Sequence, residues 1–136
     1  MNKADLIRSL PLIFAALFVA ILFIQSGLDK VFNYKGQLSW LTGHFEKSLL
    51  AGSVPMMLPA ITVMEVTTGL LAAVGVIYLV VTGVSVLIFW ASVVGAATLL
   101  ALFFGQRMAQ DYPGAATLVP YFLLMLVTMY LSMAPK

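Results

Sequence analysis

One carboxylate is conspicuous in this chain because it interrupts two long uncharged stretches. Glu65 separates the uncharged run 48–64 from the uncharged run 66–106. A carboxyl group among apolar side chains either stays neutral or pairs with a cation, and it can hold a proton or orient a ligand. Lys30 closes the first apolar run of the sequence and is the cation expected to reach it. The same pair could equally act only as a salt bridge that fixes the register of two helices.

Further polar residues flank Lys30 in the sequence. Gln25 precedes it by little more than one helical turn, and Trp40 and His44 are four residues apart, which places them on one side of a helix. Hydrogen-bond donors, an aromatic wall and an apolar channel suit a quinone or a lipid. The predicted pocket therefore consists of Gln25, Lys30, Trp40, His44 and Glu65. The alternative without a ligand is a belt of aromatic and polar side chains at the level of the lipid headgroups.

The composition excludes several other kinds of chemistry. The 136 residues contain no cysteine and one histidine, which excludes thiol exchange, iron–sulfur ligation, a bis-histidine haem and a His-rich metal site made by this chain alone. The net charge of +2 arises from scattered residues without a basic cluster, so nucleic acid is not an expected partner. We therefore expect no metal and no covalent cofactor, and a quinone is the one cofactor that the residues suggest.

Membrane-spanning helices must position these residues, because 62% of the chain is hydrophobic and only 9% is charged. Uncharged runs of about 20 residues predict spans at positions 10–30, 55–77, 83–105 and 114–134. The expected fold is all-α, an integral membrane four-helix bundle that forms a single transmembrane domain over residues 1–136. The chain is expected to reverse between Gly75 and Gly83.

Small residues predict which spans pack together. A stripe of small residues on the second span is expected to face a similar stripe on the third. The stripe on the second span comprises Thr62, Glu65, Gly69 and Ala73, and the stripe on the third span comprises Ala91, Gly95 and Thr98. At the exit of the third span, Arg107 and Asp111 are four residues apart and are expected to pair.

The segment 33–50 between the first two spans is too polar to cross a membrane. Leu38, Leu41, Phe45 and Leu49 recur in it at near-helical spacing. This pattern predicts an amphipathic segment that lies along the membrane interface.

The location that follows is the inner (plasma) membrane of a cell, crossed several times. An even number of spans puts both ends of the bundle on one face, and the basic residues on the two faces nearly balance. A basic start to the sequence, with Lys3 and Arg8, favours the cytoplasm for the termini, including Lys136.

The chain resembles the DoxX family of small bacterial four-helix membrane proteins. The likeness rests on Gly27-Leu28-Asp29-Lys30 at the end of the first span, on a second span led by Pro55 and Pro59, and on Glu65 followed by Gly69-Leu70 and Gly75. The resemblance implies a four-helix bundle in which Gly27, Lys30 and Glu65 are important. Some members are linked to thiosulfate-to-quinone electron transfer and others to complexes that counter oxidative and thiol stress. The lack of cysteine sets this chain apart from thiol-using members.

Three functions are compatible with these features. The first is an accessory subunit of a larger membrane redox assembly, in contact with lipids and other membrane subunits, with a quinone or lipid pocket near Lys30 and Glu65. The sequence has no self-contained redox centre or catalytic motif, so any electrons would come from a partner. The second is a small proton-coupled transporter that uses Glu65. The third is a purely structural subunit.

Overall fold

The computed structural model describes residues 2–133, and every regular element in this range is a helix. The six helices are α1 (Lys3–Phe32), α2 (Tyr34–His44), α3 (Val54–Thr82), α4 (Val86–Met108), α5 (Tyr112–Thr117) and α6 (Val119–Met133). Four segments are long and apolar enough to cross a membrane: α1, α3, α4, and α5 together with α6. The prediction of an all-α chain with four such segments is confirmed.

These four segments run alternately up and down, with α3 packed between α1 and α4, and with α4 packed against α6. The buried core consists of two clusters of apolar side chains along the bundle. One comprises Val19, Ala20, Phe23, Ala72, Ala91, Leu99 and Met125. The other comprises Leu12, Ile13, Ala16, Leu79 and Ile88. Before α4, the Ser85 hydroxyl donates to the carbonyl of Ser132 near the end of α6, at 2.7 Å. The start of α1 and the end of α6 therefore share one end of the bundle, as predicted, while Lys136 lies outside the described residues.

Two helices extend beyond the predicted spans 10–30 and 55–77. α1 has 30 residues because Asn2 caps it, accepting a hydrogen bond from the backbone N–H of Asp5 at 2.8 Å. α3 continues to Thr82 and ends at Gly83, whose φ of 79° favours glycine. The chain reverses at 83–85 rather than earlier. Gly75 lies inside α3, where a Cβ would come 2.8 Å from Cγ1 of Ile88 in α4, so it serves packing rather than the turn.

The fourth predicted span, 114–134, begins earlier and is interrupted. Asp111 caps α5 by accepting a hydrogen bond from the N–H of Gly114 at 3.0 Å, and Pro113 sits in the first turn, where its missing N–H costs nothing. The Tyr112-Pro113-Gly114 sequence thus starts a helix. A break follows at Leu118, because Pro120 has no N–H to offer the preceding turn. Position 134 lies outside the described residues.

The predicted amphipathic segment forms a shorter helix than its apolar pattern indicates. α2 ends at His44, and beyond it the N–H groups of Glu46 and Ser48 bond to carbonyls only three residues back, as in tight turns. Phe45 is buried, whereas Leu49 is 87% exposed, since the helical repeat that would align it with Phe45 has already ended.

Two glycines allow α1 and α3 to cross at close range. A Cβ on Gly27 would lie 2.7 Å from Cγ2 of Val66, and a Cβ on Gly69 would lie 2.8 Å from the backbone nitrogen of Ile24. Neither position has room for a larger residue unless the helices move apart. Backbones of apolar helices approach this closely only where small residues line the contact.

The stripe predicted to join α3 to α4 is therefore divided between two neighbours. Gly69 faces α1, contrary to the prediction, because it shares the face of α3 that Glu65 turns towards Lys30. On α4, Gly95 faces Thr68 of α3 and Met125 of α6. α3 is a central helix, and its small residues serve α1 on one side and α4 on the other.

Gly69→Ala is expected to lower the free energy of unfolding by about 1 to 3 kcal/mol, because the added methyl group would collide with the backbone of α1. The quantity is measured by titrating the purified protein in mixed micelles with dodecyl sulfate and following helix content. Gly43→Ala is the control, since no atom lies within 4 Å of a Cβ placed there. Equal stability of the two variants would show that the glycine crossing does not limit how closely α1 and α3 pack.

Candidate functional site

Lys30 and Glu65 meet immediately beside the glycine crossing. Lys30 lies three residues after Gly27 and Glu65 lies four before Gly69, so the antiparallel approach of α1 and α3 brings the two side chains level. The ammonium nitrogen is 3.0 Å from Oε1 and 3.3 Å from Oε2 of the carboxylate. Only the longer contact has hydrogen-bond geometry, so Oε1 is buried without a hydrogen bond. The structure thus contains the ion pair that the sequence predicts.

The two partners differ in their access to the surroundings. The Glu65 side chain is 1% exposed, and that of Lys30 is 17% exposed. Lys30 also donates to the hydroxyl of Ser26 at 3.1 Å. An ammonium group carries three N–H donors, so one remains for a molecule on the exposed side of the lysine.

That side is a partly open cavity of about 490 Å³, lined by residues of α1, α2, α3 and α4 and of the segment between α2 and α3. Most of its wall is apolar and includes Leu41, Phe45, Val54, Leu58, Ile61, Met64, Leu102 and Phe104. Its polar wall residues are few: Lys30, Gln37, Trp40 and Gln106. A mostly apolar space with a few polar groups in its wall is typical of sites for small molecules, and its volume falls in their usual range. The shape suits an apolar molecule with a small polar head.

Trp40 and His44 were both predicted to line the pocket, but only Trp40 lies in the cavity wall. Trp40 is in the wall and is 59% exposed, and its ring stacks on that of His44 with centroids 4.6 Å apart. His44 is behind the wall, where its Nε2 lies 2.9 Å from Oε1 of Gln106 and 3.5 Å from Oδ2 of Asp111. Two oxygen acceptors around Nε2 favour a proton on that nitrogen, so His44 donates to Gln106. His44 therefore positions Trp40 and Gln106 instead of lining the cavity.

Gln25 and Glu65, which were also predicted to line the pocket, lie outside its wall, as His44 does. Gln25 is exposed on the outer surface of α1, because each helical residue turns the side chain by about 100° and only Ser26, the next residue, points to Lys30. Glu65 is packed behind the wall and acts on the cavity through Lys30. The structure brings Lys30 and Trp40 to the cavity and leaves Gln25 away from it.

Sequence reasoning missed the two amides of the wall. Gln37 lies three residues before Trp40 and four before Leu41, so the helical spacing of α2 already placed it on the same face. Gln106 ends the uncharged run of α4, and a polar residue at that depth was a usable signal. Its contact with His44 joins residues 62 positions apart and left no local pattern.

The predicted pair between Arg107 and Asp111 does not form. α4 ends at Met108 and Gln110 has a φ of 60°, so helical spacing does not carry over to Asp111. The Asp111 carboxylate instead caps α5 and faces His44. The guanidinium of Arg107 lies over the ring of Tyr112, 4.5 Å from its centre.

Residues 2–133 include no group of three His, Asp or Glu side chains arranged to hold a metal ion. Comparison of the chain with protein-family models, with curated proteins and with solved structures finds no match. A functional assignment therefore depends on the ion pair and the cavity.

Lys30→Met is expected to lower the free energy of unfolding by about 3 to 5 kcal/mol, because it leaves the Glu65 carboxyl buried without its cation. The double variant Lys30→Met/Glu65→Met removes both charges and is expected to regain most of that loss. Unfolding in dodecyl sulfate measures all variants on one scale.

Lys35→Met is the matched control, since it removes an exposed lysine of α2 that makes no ion pair among the described residues. A double variant no more stable than Lys30→Met would mean that the two side chains are not energetically coupled.

Proposed function

We propose that this chain is a multi-pass protein of the bacterial inner membrane, an accessory subunit of a larger redox assembly that holds a quinone or a lipid beside Lys30. The observation that carries the proposal is the mostly apolar cavity with a few hydrogen-bond donors in its wall, Lys30 among them. Those donors suit a carbonyl head, and the apolar wall suits a hydrocarbon tail. The chain has no cysteine and one histidine, so electrons would pass between the quinone and a partner subunit.

The placement of α2 supports a cavity that opens near the membrane surface. Trp40 is exposed on this helix, and Lys35, Glu46 and Lys47 are exposed on or just after it. Exposed aromatic and charged side chains of this kind are typical of the headgroup region. With the start of α1 in the cytoplasm, α2 and the cavity lie on the opposite, periplasmic side of the bilayer.

The resemblance to the DoxX family agrees with this proposal at the level of residues. Gly27 and Gly69 allow α1 and α3 to cross, and Lys30 and Glu65 form the ion pair that the crossing permits. All four belong to the motifs that carry the resemblance. A DoxX-like subunit with this arrangement would supply a binding site and leave the redox centre to its partners.

A proton-coupled transporter is the second candidate, and one observation favours it. Oε1 of Glu65 is buried without a hydrogen bond, as a group that accepts a proton would be. Two observations favour the binding role: Lys30 pairs with Glu65, and Glu65 is not in the cavity wall. A structural subunit would need neither the cavity nor its donors.

Quinone binding is expected to quench the fluorescence of Trp40 and not that of Trp90, because only Trp40 lies in the cavity wall. The chain has two tryptophans, so Trp90→Phe leaves Trp40 as the sole tryptophan and Trp40→Phe leaves Trp90; excitation at the red edge of the absorption band avoids tyrosine emission. Decylubiquinone added to the protein in nanodiscs should quench the first variant saturably. The second should show only the non-saturable quenching of quinone dissolved in the bilayer.

Saturable quenching of both variants, or of neither, would contradict a quinone site in this cavity. Liposomes provide the separate test of transport. Substrate uptake driven by a pH gradient and abolished by Glu65→Gln would establish the transporter in place of the accessory subunit.

A further inference from the structure

The charges at the polar part of the cavity define the headgroup that it can accept. Lys30 is the charged member of the wall, and the other polar members, Gln37, Trp40 and Gln106, are neutral. The carboxylate of Glu65 lies directly behind Lys30, with Nζ 3.0 Å from Oε1. Because the two opposite charges lie 3.0 Å apart, the pair carries no net charge, and the carboxylate opposes the attraction of the ammonium for an anion bound beside it. The cavity therefore offers N–H donors with no net charge.

Other charged groups at this end of the bundle leave that balance unchanged. Asp111 is 3.5 Å from His44 and Arg107 lies over Tyr112, and neither Asp111 nor Arg107 is part of the cavity wall. The remaining charged side chains near this end are exposed, so water and salt screen them: Asp29, Lys35, Glu46 and Lys47.

Given the pocket proposed above, we infer that Glu65 determines specificity by neutralising Lys30, so that the cavity binds an apolar chain with a neutral carbonyl head and rejects the same chain ending in an anion. A neutral carbonyl needs only the N–H of Lys30 that Ser26 and Glu65 leave unused. An anionic head would lose its hydration and meet a cation already paired with a carboxylate. Specificity of this kind comes from rejection of the wrong ligand.

This inference predicts the effect of removing the carboxylate alone. Glu65→Gln keeps the size of the side chain and leaves an oxygen that can accept from Lys30, but it leaves the ammonium charge uncompensated. The cavity should then attract an anionic head. Asp29→Asn is the matched control, because it removes a carboxylate next to Lys30 in sequence that is exposed and makes no ion pair among the described residues.

The experiment compares methyl dodecanoate with dodecanoate, both brominated on the chain so that binding quenches Trp40. All proteins carry Trp90→Phe and are held in phosphatidylcholine nanodiscs at a pH where the acid is ionised. The reference protein is the exception: it carries Trp40→Phe and keeps Trp90, and its quenching in the same nanodiscs corrects for compound dissolved in the lipid. We expect the protein with Glu65 in place to bind the ester about tenfold or more tightly than the acid. Glu65→Gln should lower this ratio of affinities by a similar factor or reverse it. Asp29→Asn should leave it unchanged.

The inference is overturned if the protein with Glu65 binds acid and ester equally, or if Glu65→Gln and Asp29→Asn give the same ratio. The comparison with Glu65 in place decides the matter even if Glu65→Gln fails to fold. Binding of both compounds without preference would refute the specificity and leave the cavity as a ligand site. Failure of both compounds to quench Trp40 saturably would refute the proposed pocket and the inference with it.

Discussion

The buried pair of Lys30 and Glu65 depends on how closely α1 and α3 approach each other. An isolated charge among apolar side chains is costly, so each partner requires the other within a few ångströms. Gly27 and Gly69 provide that distance, since a methyl group at either position would collide with the opposite helix. The pair also fixes the register of the two helices, because a shift of one helical turn would separate the charges by about 5 Å.

The cavity needs a second set of contacts, from parts of the chain that are far apart in sequence. α2 has no buried residue and is held at its end, where Phe45 lies close to Gly105 and His44 donates to Gln106. These contacts help to place Trp40 and Gln106 in the wall of the same cavity as Lys30. The ion pair therefore provides the charged group of the site, and the contacts between the end of α2 and α4 hold further wall residues beside the same cavity.

The sequence predicted the features that depend on local signals. Long uncharged runs located the four apolar segments, and a lone carboxylate with one lysine in reach led to the ion pair. Features that depend on rotation or on distant contacts were missed. Gln25 is one residue away from the face of α1 that meets Lys30. Asp111 does not pair with Arg107, because its carboxylate caps α5 instead. Gly69 could have served either neighbour of α3, and only the packing decides between them.

The length of α1 has a consequence for the surface of the protein. A helix of 30 residues is about 45 Å long, whereas the hydrocarbon layer is about 30 Å thick. The bundle would have to lean steeply to hide all of it, and its first turns carry Lys3, Asp5 and Arg8. In the proposed bilayer those turns extend beyond the hydrocarbon layer into water. The protein therefore presents a short charged helical extension on the face opposite the cavity.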